Sequence, residues 1–128
     1  MKDFKTIFFF LKLPMAISLL GHGLVRLPKL ETFSSWMVTS MEKSAIPDFL
    51  IVPFGYFLPI AEAVLGLSLL IGFQTRYTLF ASLVLMSLLI FGSSSIENWS
   101  AVESQLLHSF YLFGLVWFWQ KYKPESNL

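Results

Sequence analysis

The sequence predicts an all-α fold: a four-helix transmembrane bundle with a short interfacial helix in the outer loop between helices 1 and 2. Three observations predict it. Hydrophobic residues make up 55% of the chain and charged ones 13%, with a mean hydropathy of +0.68, which is too apolar for an ordinary soluble domain. The charged residues are gathered at the ends and gaps of the apolar runs. Four of those runs reach the roughly 20 residues that a helix needs to cross a hydrocarbon core of about 30 Å.

The first span, about 4–25, is interrupted only by Lys12 and Pro14. A lysine-flanked apolar start resembles a signal peptide, but no small-x-small cleavage pattern follows and three more spans do, so a retained helix is expected. Between about Arg26 and Val52 come Pro28, Pro47 and the amphipathic "FSSWMVTSMEK". Phe33, Trp36, Met37 and Met41 can share one face there, which predicts a helix lying at the membrane surface. The second span covers about 53–73, starting at Pro53, and the third about 77–96. The polar stretch "SSSIENWSAVES" follows as an outer loop, and the fourth span, about 102–121, is stopped by Lys121, Lys123 and Pro124. Residues 1–128 thus read as a single membrane domain. The phenylalanines are expected to be mostly lipid-facing bulk, with Trp99, Trp117 and Trp119 in the interfacial belts.

The basic residues orient the spans. A cytoplasmic N-terminus puts Lys2, Lys5, Lys12, Arg76, Lys121 and Lys123 inside, six of the nine, and leaves Arg26, Lys29 and Lys43 outside. Both termini are therefore expected on the cytoplasmic side of the cytoplasmic (inner) membrane. The chain contains no cysteine, which removes thiolate metal sites and thiol chemistry carried by the chain itself. No metal site and no nucleic-acid partner are expected; the lipid bilayer is.

Within hydrocarbon an ionisable side chain is a candidate for function, because a charge at the helix centre costs about 2.5–3.5 kcal/mol on insertion scales. Glu62 lies nine positions from Pro53, roughly 14 Å at a helical rise of ~1.5 Å, near the midplane. A bare carboxylate there is disfavoured, so the group is either protonated or paired with a donor on a neighbouring helix. Gly55, Pro59, Glu62 and Gly66 share one face of little bulk. Gly66 and Gly72 read as helix-packing residues. On the first helix Pro14, Ser18 and His22 form a row, with Gly21 and Gly23 on either side of the imidazole leaving room for a close-approaching helix or flat ligand. On the fourth, Ser104, Gln105, His108 and Tyr111 fall within about a third of the circumference. Alternating topology places His22 and His108 level near the outer end, with Glu62 deeper, beneath both.

Two motifs carry a family resemblance. The "HGLVR" at 22–26 resembles the His-Gly-x-x-Lys/Arg that ends the first helix in the DoxX/DoxD-like membrane proteins. The stretch from Glu62 to Arg76, "EAVLGLSLLIGFQTR", is similar to that family's Glu-x3-Gly-x5-Gly-x-x-Thr-Arg signature. His22, Gly23, Arg26, Glu62, Gly66, Gly72, Thr75 and Arg76 match by position; no family motif covers the last helix with His108. The resemblance implies a small four-helix protein similar to the membrane subunits of thiosulfate:quinone oxidoreductase and of other membrane oxidoreductase complexes.

A quinone takes up protons with its electrons, so its site needs donors at the carbonyl oxygens and a titratable group beside them. Glu62, His22 and His108 are the candidate catalytic groups, and Arg26, Gln105, Tyr111 and Ser18 the candidate ligand-binding ones. Arg26, Lys29 and Lys43 could hold an anionic sulfur substrate by charge. Electrons would come directly from substrate or from an oxidoreductase partner subunit; a homo-oligomer is the other expected assembly. The alternatives are a non-enzymatic scaffold or partner-docking subunit, a haem b held by His22 and His108, and a proton-coupled small-solute carrier. Haem is the weaker reading, because paired ligands need deeper and better-opposed histidines.

Overall fold

The computed structural model describes residues 3–123; Lys2 and Pro124, assigned above to the first flank and the end of the last span, lie outside them. It is all-helical, with no strand among the described residues. The elements are α1 (Phe4–Arg26), a single 3-10 turn (Leu27–Lys29), α2 (Leu30–Ser40), α3 (Asp48–Ile71), α4 (Thr75–Ser95) and α5 (Trp99–Tyr122). Three stretches are long and apolar enough to cross a membrane: Phe4–Ser40, which takes in α1 and α2, Asp48–Ile71 and Thr75–Ser95. α5 is as long as α3, but its first turns carry Glu103, Ser104, Gln105 and His108, and its end Gln120 and Lys121.

α1 buries Phe4, Phe8, Lys12, Met15, Ala16, Leu19 and Gly23, one stripe at helical spacing. α3 answers with Ile51, Gly55, Leu58, Pro59, Glu62, Gly66 and Leu69. The seam between them is tight at two glycines. A Cβ on Gly23 would run into the backbone of Pro59 and Ala63, and one on Gly66 into Leu20, so the missing side chains let the two backbones meet. Gly21, the other neighbour of His22, faces open space and has no such role.

Three sequence expectations are corrected. α3 starts at Asp48 instead of Pro53, because Pro47 ends the preceding loop in extended backbone and Pro53 is accommodated inside the helix, just past its first turn. Gly72 is a helix terminator, not a packing residue. It adopts φ +79°, and the N–H groups of Gly72 and Phe73 return to the carbonyls of Leu69 and Ser68 in the paired pattern that closes helices in the left-handed conformation. The last helix also starts at Trp99 instead of about Val102, where the Asn98 side chain accepts from Ala101 N–H, which leaves 96–98 as the loop before it.

The buried core lies toward the α3–α4 turn. Phe4, Phe8, Leu19, Leu69, Leu79, Met86, Leu112 and Leu115 form one cluster there. Phe4, Phe8 and Phe118 stack in near-parallel rings, so part of the phenylalanine content is core and not lipid-facing. Lys12 sits within this end, 7% exposed, its ammonium 5.7 Å from the Phe8 ring centre. Buried Thr78 and Ser82 donate to the carbonyls of Phe73 and Thr78. Outward, long stretches of every helix expose large apolar side chains such as Phe10, Phe57, Val84 and Phe110, a surface suited to a lipid bilayer.

Candidate functional site

At the opposite end the helices stop filling the interior. α4 and α5 bury their side chains only over 78–86 and 112–115, and beyond these limits they line a cavity of about 550 Å³ together with α1, α2 and α3. Its wall is mainly apolar, with Leu58, Met86, Leu89 and Phe54 among the contributors. His22, Arg26, Glu62, Ser93, Gln105 and His108 are among its polar groups.

Both imidazoles are fixed by their own helices. His22 Nδ1 lies 2.7 Å from the Ser18 carbonyl and His108 Nδ1 2.8 Å from the Ser104 carbonyl, each one turn back. A carbonyl can only accept, so each Nδ1 carries the proton and each Nε2 presents a lone pair. The Ser18 hydroxyl donates to His108 Nε2 at 3.3 Å, tying α1 to α5. The ring centres are 6.3 Å apart and the planes nearly perpendicular, so the expected level placement of the two histidines is observed. His22 Nε2 is left without a protein partner among the described residues.

Glu62, 5% exposed, receives Arg26 Nη1 at 3.2 Å, the only ion pair among the described residues. The donor expected on a neighbouring helix is Arg26. Arg26 is held from a second side as well, its Cζ lying 4.5 Å from the centre of the Phe33 ring on α2. Arg26 is therefore engaged with Glu62 instead of standing as a free outer cation. Glu62 is also not a layer beneath the histidines. Gly23 packs on Pro59 and Ala63, which sets Glu62 beside the last turn of α1. The five extra residues at the start of α3 lengthen that helix above Glu62, while α1 ends at Arg26 and folds over into α2.

Gln105 is half-buried and donates from Nε2 to the Ser93 hydroxyl at 3.0 Å, while its Oε1 is buried with no partner. A serine hydroxyl both donates and accepts, so whichever way the amide is turned one of its ends stays free toward the cavity. Tyr111 is placed elsewhere. It lies almost one turn below His108, outside the cavity wall, and its hydroxyl donates to the Leu11 carbonyl at 2.7 Å, in the turn that Pro14 loosens by withholding an N–H. Ser18 touches His108 and is not itself part of the wall.

Two contributors to the site escaped the sequence reading. Ser34 of α2 is buried, donates to the Val52 carbonyl at 3.0 Å and sits where a Cβ on Gly55 would fall 2.7 Å from its Cα, so it docks α2 onto α3. This leaves Phe33, Trp36, Met37 and Met41 lining the cavity, where a face toward lipid was expected. The signal lay in the small residue within an otherwise bulky amphipathic segment. Ser93 stood where the third span and the polar stretch after it overlap, and as part of α4 it lies opposite Gln105. Among the described residues no group of three or more His, Asp or Glu side chains could hold a metal ion. No family model, curated protein or solved structure matches this chain.

Proposed function

We propose that the chain is a DoxX/DoxD-like protein of the cytoplasmic membrane, four spans with both termini inside, that holds a quinone in the outer cavity as a quinone-linked oxidoreductase or as the membrane subunit of such a complex. The observation that carries the reading is the cavity's pairing of an apolar wall with a few fixed polar atoms that face different ways: the His22 Nε2 lone pair, the unpaired Gln105 amide end and the Arg26–Glu62 pair. A quinone supplies two-electron chemistry linked to protons at its ring oxygens. As the quinone is reduced its ring oxygens take up protons; His22, when protonated at Nε2, would give one to a ring oxygen, and the Ser18 carbonyl on Nδ1 steadies the imidazolium that donates it. Glu62 is the second group able to hold a proton, and Arg26, donating to it at 3.2 Å, favours its carboxylate form. The chain has no cysteine to relay electrons, so these come from the substrate directly or from a partner.

The non-enzymatic reading is favoured by one observation: Gly23 and Gly66, both part of the motifs, are consumed in the α1–α3 seam. Solvent extraction of the purified protein followed by mass identification separates the two. Stoichiometric quinone, lost in His22→Phe with the fold retained, supports the redox reading. Failure of the wild type to retain or take up an added short-chain quinone sinks it and leaves docking.

A further inference from the structure

Away from that cavity, at the end where α3 turns into α4, a second pocket of about 180 Å³ opens between α4 and α5. Its walls are Leu79, Phe80, Val116 and Trp119, and its polar groups are Arg76, Gln120 and Lys123. Lys123 lies with its ammonium 4.3 Å from the Trp119 ring centre, and the Arg76 guanidinium 5.9 Å from that of Phe80, so the aromatic rings hold both cations at the pocket. Neither cation is in an ion pair among the described residues.

Three independent features give the pocket one preference. It is lined by two cations and an amide, with no carboxylate. α4 begins beside it at Thr75, and its N-cap, Gln74, sits at φ +46° with no side-chain cap, so the helix presents first-turn N–H groups without a side-chain acceptor. Charge is unevenly divided between the ends: Lys5, Lys12, Arg76, Lys121 and Lys123 lie here with Asp3 as the one carboxylate among the described residues, whereas Glu31, Glu42, Asp48, Glu97 and Glu103 lie at the other end beside Arg26, Lys29 and Lys43. Leu79, Phe80 and Val116 make the wall apolar, and one turn farther on each helix, Val84 on α4 and Phe113 on α5 are exposed. A phosphate at the top and hydrocarbon beneath it match that order from rim to floor.

We propose that this pocket binds a phosphate group, and that the phosphate belongs to the headgroup of an anionic phospholipid whose chains lie along the α4–α5 groove. The proposal rests on the chain sitting in a bilayer and is independent of what fills the outer cavity. Arg76 and Lys123 neutralise the phosphate, the Gln120 amide donates to it, and the α4 N-terminus adds its dipole.

The test is melting of the purified protein in a neutral detergent. Short-chain phosphatidylglycerol, phosphatidylcholine of the same chain length and inorganic phosphate are added separately. Phosphatidylglycerol is expected to raise the melting temperature by about 5 °C at low ionic strength, the scale of a saturating ligand on a chain this size, and by much less in high salt. Phosphatidylcholine should shift it little. The Arg76→Gln, Lys123→Gln double variant should lose most of the shift, and Lys123→Gln alone, at the end of α5, should lose part of it if the double variant does not fold. An equal shift from both lipids, or an undiminished one in Lys123→Gln, overturns the site. A shift from inorganic phosphate equal to that from phosphatidylglycerol overturns the lipid as its source.

Discussion

Glu62 tolerates its surroundings only because Arg26 reaches it, and the two residues fail in different ways when changed. Glu62→Gln keeps an acceptor for the guanidinium and should stay within about 1 kcal/mol of the parent, near the net worth of one hydrogen bond. Glu62→Leu strands a half-buried Arg26 with only the Phe33 ring and should cost clearly more, read by melting in detergent. If the carboxyl carries protons for quinone chemistry, the Gln variant folds but loses quinone-linked turnover; full activity in that variant removes Glu62 from the mechanism. That a bare carboxylate would not stand here, so that Glu62 is either protonated or paired, was legible in the chain, because burial of a charge is unfavourable wherever the helix lies. Which partner was not legible. Arg26 looked like a free outer cation because the outer ends of the two helices were taken as level, whereas Gly23 packs on Pro59 and Ala63 and α3 runs on beyond the end of α1.

Helix pairs show the same division between composition and contact. The alternation of small and large residues on α3 announces a packing face, yet only the structure separates glycines that touch from those that do not. Gly23→Ala and Gly66→Ala each force α1 and α3 apart and should destabilise by about 1–3 kcal/mol, the usual cost of overpacking, whereas Gly21→Ala meets nothing and should melt at or slightly above the parent temperature. Equal losses at Gly21 and Gly23 would contradict the seam. Ser34→Leu should detach α2 from Gly55 and Val52 and expose the α2 backbone to faster amide exchange. The apolar face of α2 was legible as a period. Its destination was not, since a stripe of Phe, Trp and Met suits a lipid surface and a cavity wall equally well.

Over the whole molecule, the alternating connections put α2 and the α4–α5 turn at one end and the α3–α4 turn at the other. If both termini lie inside, as proposed, a cysteine at Ser35 is labelled by an impermeant reagent on intact cells, and one at Gln74 only after the membrane is broken. The reverse pattern inverts the orientation and moves the proposed lipid pocket to the other leaflet. A further consequence follows from the way α1 passes through just Leu27–Lys29 into α2, with Arg26 clasped by Phe33 on one side and Glu62 on the other. Arg26 is thereby a bolt between the cavity's α2 wall and the buried carboxylate, beside the Ser34 contact that docks α2 on α3. Swinging that wall outward to exchange contents with the bilayer draws the bolt, and discharging Glu62 frees the wall by the same free energy, since such coupling is reciprocal. Amide exchange in α2 should therefore quicken in Glu62→Gln while that of the α4 core around Ser82 holds, making a proton on one carboxyl the key to a door several residues away.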